Sequence, residues 1–238
     1  MSLPARIVTL LVAFAAVVAG AVFIVVHYLG SSLEVVNYSS VASGGVVNVV
    51  LQEDPQNNSA SEPDWVTYYV QDPQTKAWVH TTLFSVPKNT RVNMTILGYD
   101  GCTPARNNFW SLVQGTVGNT MTVQQFKTVG QPLGLPQRAT VRNTWSDCSV
   151  GHSFAIPSLH LFVPIASPVT ALFNKDGCTD SPCTEGPHSV VKFSFMSPRN
   201  TGTFRWQCFI PCGGGFLDGN GGPMSTLGYM MGNMEVSA

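Results

Sequence analysis

The residues of this chain whose types and spacing could do chemistry are concentrated near its C-terminal end. Phe204, Trp206 and Cys208 alternate with polar residues. This period of two predicts a half-buried strand, because successive side chains of a strand point to opposite faces. The strand is therefore expected to place the thiol of Cys208 at its last inward position.

Further sulfur ligands follow in a glycine-rich loop. Cys212 comes four residues after Cys208, and Met224 and Met230 precede a predicted closing strand that runs to Ala238. Thiolate and thioether sulfurs are soft ligands that suit copper, and a trigonal copper site with a long axial Met needs a loop of this kind. The stretch is thus typical of a copper-binding loop.

A second stretch supplies an imidazole. His152, Phe154 and Ile156 alternate with other residues and are expected to share one face of a strand. His152 would then point inward at the beginning of its strand, as Cys208 does at the end of another. Because those two ends coincide when antiparallel strands are neighbours, we expect the imidazole and the thiolate to meet.

The elements that position these groups are predicted to be strands. After residue 31, short segments rich in Val, Thr, Tyr and Phe are separated by turn residues, and no convincing amphipathic helix is found. This pattern predicts a single antiparallel sandwich or barrel, with a hairpin turn at residues 72–74. The predicted strands are 33–38, 45–52, 65–71, 77–85, 90–98, 121–127, 138–143, 152–157, 189–196, 202–208 and 230–237.

The N-terminal region is predicted to be an uncleaved membrane anchor. The 23 residues from Ile7 to Leu29 carry no formal charge, and about 20 apolar residues suffice to span a bilayer. A signal peptide cleaved near residues 19–21 is the competing interpretation, but this run exceeds the usual length of its apolar region. Arg6 before the run and Glu34 after it favour an N-terminus inside and a main domain outside the cell.

The predicted organisation follows from that anchor. It comprises a cytoplasmic N-terminus (1–6), a transmembrane helix (7–29), a stalk (30–44) and an extracytoplasmic domain (45–238). Six cysteines in a chain of 238 residues indicate an oxidising compartment.

Composition and motifs exclude several functions. Charged residues make up 11% of the chain and the net charge is −1, so neither nucleic acid nor an acidic membrane surface is an expected partner. No G-x-S-x-G, H-E-x-x-H, P-loop or dinucleotide motif occurs in the sequence. We therefore expect no catalytic residues and no independent catalysis, with an electron-transfer subunit as the nearest enzymatic role.

Two motifs resemble one known family. HSFAIPSL, residues 152–159, resembles the histidine-bearing segment of the cupredoxin domain in subunit II of haem-copper (cytochrome c or quinol) oxidases. GTFRWQCFIPCG, residues 202–213, is similar to that family's strand and its Cys-x3-Cys-Gly motif. The resemblance implies an all-β, cupredoxin-like Greek-key β-sandwich after one transmembrane helix. It also implies copper, electron transport and association with other subunits of a respiratory membrane complex.

The resemblance implies metal ligands at His152, Cys208 and Cys212, with Met224, Met230 or neither of them as the family's Met. One departure is large, since the family continues Cys-x3-Cys-x3-His-x2-Met and the histidine position here is Phe216. No histidine follows His188 in the sequence. A dinuclear copper site would therefore lack one imidazole.

A metal-free alternative stays open at this point. Six cysteines allow 15 connectivities, and the locally simplest pairing is Cys102–Cys148, Cys178–Cys183 and Cys208–Cys212. The domain would then be a disulfide-braced accessory protein that mediates assembly with membrane or extracellular partners. Asp147 could orient a metal-bound His152 or simply be a buried or capping residue. The remaining histidines, His27, His80, His160 and His188, are expected to be structural or interfacial.

Overall fold

The computed structural model describes residues 3–24, 33–56, 63–101, 109, 112–140, 150–169, 177–212 and 222–238. The chain forms two compact units, Met1–Leu33 and Glu34–Ala238. The first unit contains helix α1 (Leu3–Ile24), whose side chains from residue 9 to residue 22 are all exposed. The predicted helix is confirmed up to that point, while residues 25–29 lie outside the described residues.

Within the described residues, no helix combines the length and the apolar character that crossing a bilayer requires.

The second unit is mostly β and contains two sheets. Its strands are β1 (Val35–Asn37), β2 (Val46–Asp54), β3 (Thr67–Gln71), β4 (Trp78–Val79), β5 (Leu83–Pro87), β6 (Arg91–Gly98), β7 (Thr120–Thr128), β8 (Gln131–Thr140), β9 (Val150–Ile156), β10 (Leu161–Ala166), β11 (His188–Met196), β12 (Gly202–Gln207) and β13 (Met231–Ser237). One sheet has the order β1-β5-β13-β12-β9-β10, and the other has the order β4-β3-β2-β6-β11-β7-β8. The predicted two-layer β fold is thus confirmed.

Several details differ from the prediction. The pairs β1–β5, β5–β13 and β2–β6 are parallel, so the sheets are mixed rather than antiparallel. β1 lies within the first sheet, and Tyr38 after it is buried, so residues 34–44 of the predicted stalk (30–44) belong to the second unit.

Two strands were misplaced or missed. β10 is buried on both faces, so its sequence lacks the alternation by which strands are recognised. β8 begins at Gln131, seven residues before its predicted start, because its prolines resemble loop residues. Proline is tolerated there because β8 is an edge strand.

The predicted hairpin turn at residues 72–74 is confirmed, since Asp72 Oδ1 accepts the backbone N–H of Gln74 at 3.0 Å.

The core lies between the two sheets and includes Cys208. Trp206 of β12 is fully buried and packs edge-on against Tyr68 of β3, with ring centroids 5.1 Å apart. The ring centroid of Phe154 of β9 lies 4.9 Å from that of Trp206 and 6.0 Å from that of Phe193 of β11. Trp206 Nε1 donates a hydrogen bond to the carbonyl oxygen of Thr82 at 3.2 Å. These contacts hold the ends of β9 and β12 in a fixed relation.

Candidate metal centre

The predicted convergence of one imidazole and two sulfurs is present in the structure. His152 lies on β9, Cys208 directly follows β12, and Cys212 lies in the loop beyond it; all three are buried. Cys208 Sγ is 3.9 Å from His152 Nδ1, and the three ligand atoms lie within 4.8 Å of one another. We call these three residues the thiol site.

Strand pairing explains why the three residues meet. β9 and β12 are antiparallel neighbours with Gln207 opposite Ala155 near the end of β9, so the chain that continues past β12 runs back along β9 towards His152. Ser153 then donates its backbone N–H to Cys208 Sγ at 3.4 Å, and its hydroxyl oxygen accepts the N–H of Phe209 at 2.9 Å. These bonds fix the sulfur of Cys208 next to the imidazole.

The other side of the imidazole faces two carboxylates. Asp100, which follows β6, has its Oδ2 atom 2.9 Å from His152 Nε2. Glu53 of β2 is fully buried, with its Oε1 atom 3.1 Å from the same nitrogen. Since the Nε2 proton is directed at Asp100, Nδ1 is the ring nitrogen left for the thiols.

Sequence reasoning missed both carboxylates and considered only Asp147, as an orienting, buried or capping residue; Asp147 lies outside the described residues. The available signal was the polar ending of β2, where Gln52, Glu53 and Asp54 follow an apolar run yet are all buried. A buried acid requires a partner.

A glycine permits the approach of Asp100. A Cβ atom on Gly151 would lie 2.6 Å from the carbonyl oxygen of Gly101, which is far below an ordinary contact distance. Gly151 therefore lets the segment after β6 lie against β9, and this places the Asp100 carboxylate beside His152.

The charges in the thiol site are strongly perturbed. Burial opposes ionisation of Cys208, but hydrogen bonds with Cys212 and His152 hold its pKa well below the usual range. The hydrogen bond to Cys208, together with burial, raises the pKa of Cys212. Burial disfavours the charged form of His152, but the Glu53 charge and the Asp100 hydrogen bond raise its pKa well above the ordinary value. The metal-free site thus favours a thiolate at Cys208, a thiol at Cys212 and an imidazolium.

The two methionines predicted as ligands, Met224 and Met230, are both buried. Met230 accepts the backbone N–H of Cys208 through its carbonyl oxygen at 2.9 Å, and its own N–H reaches Pro223, next to Met224, at 3.1 Å. The closing loop is thus tied to Cys208 by its backbone. A ligand role for either thioether stays a prediction, and Phe216 lies outside the described residues.

The cysteine pairing is partly as predicted. Cys178 and Cys183 form a disulfide with a Cα–Cα distance of 5.9 Å. Cys208 and Cys212 are free thiols, so the pairing of these two cysteines was wrong. Their surroundings give the reason, because an imidazole and a backbone amide stabilise a thiolate at Cys208. Cys102 and Cys148 lie outside the described residues.

The other described histidines lie apart from the thiol site. His160 is exposed in a left-handed turn conformation with φ of 51°. His80 shares a hydrogen bond of 2.9 Å with Thr67 Oγ1. His188 is stacked between the rings of Tyr99 and Phe126, with centroid distances of 4.8 and 4.9 Å. His27 lies outside the described residues.

Comparisons with known proteins give distant likenesses only. No family model matches the chain, and no curated protein matches it. A rusticyanin variant is 16% identical, with 87% of this chain and 84% of that chain covered and a TM-score of 0.32. Rusticyanin from Thiobacillus ferrooxidans is 14% identical, with 82% and 79% covered and a TM-score of 0.30.

A multicopper oxidase is 10% identical, with 82% of this chain and 45% of that chain covered and a TM-score of 0.28. TM-scores of this size do not establish a shared fold. The structure itself shows a mostly β unit with two sheets, and kinship with subunit II stays a prediction.

Proposed function

We propose that this chain binds copper through His152 Nδ1, Cys208 Sγ and Cys212 Sγ and acts as an electron-transfer domain. The observation that carries the proposal is the convergence of these three buried ligand atoms within 4.8 Å. Ligands from two neighbouring strands and the following loop are brought together by the pairing of β9 with β12.

The chemistry of the donors fits copper. Two sulfurs and one imidazole form a soft set, which selects copper over hard cations. Structural zinc sites are almost always closed by four protein ligands, whereas the described part of the chain offers three His and Cys donors here. The sequence places Phe216 where the resembling family has its second histidine. The donors therefore fit a single ion better than a dinuclear centre.

Copper bound here would supply a one-electron couple. The protein residues supply a fixed and dry environment for it. Burial of His152 and Cys208 excludes water, the amide of Ser153 donates to the sulfur, and Asp100 holds the imidazole by Nε2. Outer hydrogen bonds of this kind orient metal ligands and tune their basicity.

We also propose that the domain is extracytoplasmic, attached to the cell membrane by a single pass, and assembled with other subunits of an oxidase-type complex. Support for the compartment comes from the Cys178–Cys183 disulfide, which persists under oxidising conditions. Support for the attachment comes from the uncharged sequence between Ile7 and Leu29. Resistance of the full chain to carbonate extraction, with the domain cleaved by protease added outside the cell, tests both points.

Metal analysis combined with thiol mapping tests the copper proposal. The natively purified chain should contain about one copper, and Cys208 and Cys212 should become reactive to alkylation once the copper is removed. Cys178 and Cys183 provide the internal control, since they should stay unreactive until reduced. Absence of copper together with a Cys208–Cys212 disulfide would contradict the proposal and favour the metal-free accessory function.

A further inference from the structure

The two carboxylates beside His152 are held in a particular way. Glu53 uses Oε2 to accept the backbone N–H of Asp100 at 3.3 Å, and Asp100 uses Oδ1 to accept the N–H of Gly101 at 2.6 Å. The remaining oxygens, Glu53 Oε1 and Asp100 Oδ2, lie 3.1 and 2.9 Å from His152 Nε2. Each carboxylate is therefore anchored by one oxygen and presents the other to the same point.

One of these oxygens has no hydrogen bond. His152 has a single Nε2 proton, and that proton is shared with Asp100. Glu53 Oε1 is buried and makes no hydrogen bond, which is costly for a carboxylate oxygen. No Lys or Arg in the described part of the chain forms an ion pair with either carboxylate. Within the described residues, the two carboxylates thus share one imidazole as their partner, and the buried acceptor Glu53 Oε1 is left without a hydrogen bond.

We propose that Glu53 Oε1, Asp100 Oδ2 and His152 Nε2 form a second metal site, for a divalent first-row transition ion such as Zn²⁺. These three ligand atoms lie within 4.8 Å of one another. This site and the thiol site use opposite nitrogens of one imidazole.

The distances between the ligands suit such an ion. Two ligands bonded to a tetrahedral Zn²⁺ at about 2.1 Å are about 3.4 Å apart, and the separations from Nε2 are 2.9 and 3.1 Å, so small side-chain shifts accommodate the ion. One nitrogen and two carboxylate oxygens make a donor set of borderline hardness, which suits Zn²⁺ better than Mg²⁺ or Ca²⁺. The ion replaces the Nε2 proton, neutralises both carboxylates and satisfies Glu53 Oε1.

Solvent reaches this position from the side of Asp100. The side chain of Asp100 is 27% exposed, whereas those of Glu53 and His152 are 1% and 2% exposed. A metal ion can therefore enter past Asp100 without passing the thiol site. The two sites are independent except for the shared imidazole, so this inference does not require copper at Nδ1.

Zinc binding by a variant that lacks both thiols of the thiol site, called below the variant without thiols, tests the second site. In the full chain carrying Cys208→Ser and Cys212→Ser, we expect equilibrium dialysis to find one Zn²⁺ per chain. Adding Asp100→Asn should weaken binding at least about 100-fold, because a single ligand contributes about 3 kcal/mol. Glu235→Gln, which changes an exposed carboxylate, is the matched control and should leave binding unchanged.

Co²⁺ serves as a second probe, since its visible spectrum reports ligand type. The variant without thiols should bind Co²⁺ with no sulfur-to-cobalt charge-transfer band, and Glu53→Gln should abolish the remaining bands. Circular dichroism checks the folding of Glu53→Gln, and Asp100→Asn provides the same test at a partly exposed position.

The inference is overturned if the variant without thiols binds no Zn²⁺, or if its binding survives both Asp100→Asn and Glu53→Gln. In either case, the two carboxylates serve only to position His152. Copper content of the unmodified chain is a separate measurement, so failure here is distinguishable from failure of the copper proposal.

Discussion

Two pairs of closely spaced cysteines differ in their oxidation state in this molecule. Cys178 and Cys183 form a disulfide in a loop against the end of β2, whereas Cys208 and Cys212 stay free in the buried thiol site. The pairs are separated by four and three residues, so spacing alone does not distinguish them. The chemistry of each pair depends on what surrounds the sulfurs.

Strand β2 contributes to both regions through adjacent residues. Glu53 faces His152, while Asp54 accepts the backbone N–H of Cys183 at 2.8 Å. Gln52 donates to the carbonyl oxygen of Cys183 at 2.8 Å. Because successive residues of a strand face opposite ways, one strand end holds the disulfide loop on one face and the candidate metal centre on the other.

The largest expected difference between the two pairs is in copper affinity. Cys208→Ser should weaken Cu(I) binding by about 1,000-fold, or about 4 kcal/mol, since it removes a thiolate from a three-ligand set. Competition with a colorimetric Cu(I) chelator measures the change. The matched control is Cys178→Ser with Cys183→Ser, which should bind copper as the unmodified chain does. Equal loss in both variants would contradict the assignment of copper to the thiol site.

The disulfide loop should give the domain a pH-dependent stability. Burial raises the pKa of Asp54 to about 7 from 3.8, against the lowering effect of the Cys183 amide. Between pH 4 and 7 the carboxyl of Asp54 is therefore protonated in the folded chain, whereas it is ionised in the unfolded chain. The stability that Asp54 contributes should be greatest below about pH 4 and should fall by as much as about 4 kcal/mol as the pH rises to 7.

Urea unfolding at several pH values, followed by tryptophan fluorescence, measures this change. Asp54→Asn has no titrating group and should show a smaller decline, so the difference between the two curves isolates Asp54. Identical curves would show that Asp54 titrates alike in the folded and unfolded states.

Loss of the disulfide should affect stability alone. Closing a loop of this length contributes about 2 kcal/mol by restricting the unfolded chain. Cys178→Ser with Cys183→Ser should lower the free energy of unfolding by that amount in chemical denaturation. The pH dependence of stability that comes from Asp54 shows whether the loop stays in place. A displaced loop would expose Asp54 and reduce that pH dependence.

The smallest expected effect comes from the support of the imidazole. Asp100→Asn should reduce Cu(I) affinity about 10-fold, or about 1.4 kcal/mol, because the orienting carboxylate is lost while all three copper ligands remain. Cu(I) competition again gives the value, with Glu235→Gln as the control. A loss as large as that of Cys208→Ser would indicate that Asp100 is itself a copper ligand.

The sequence predicted the thiol site better than its surroundings. His152 and Cys208 each belong to an alternating segment, and the antiparallel pairing of β9 with β12 directs the chain after β12 back past Ser153 to His152. Glu53 and Asp100 come from segments distant in sequence, and the one local signal was the polar ending that follows the apolar run of β2. Their positions depend on the pairing of β2 with β6 and on the close approach that Gly151 permits.

The same limit applies to the cysteines and to the strands. Cys208 and Cys212 have a spacing compatible with either a disulfide or a metal site, and only the three-dimensional neighbours decide between them. The two-layer β fold was predictable from many short segments with turns between them. β10 was not, because burial on both faces removes the alternation.

X-ray absorption at the copper edge of the chain loaded with one equivalent of Cu(I) tests the central claim most directly. The structure predicts two sulfur ligands and one imidazole nitrogen around the copper, with the sulfur signal reduced by Cys208→Ser and by Cys212→Ser. A copper environment without sulfur, or one that both substitutions leave unchanged, would contradict it.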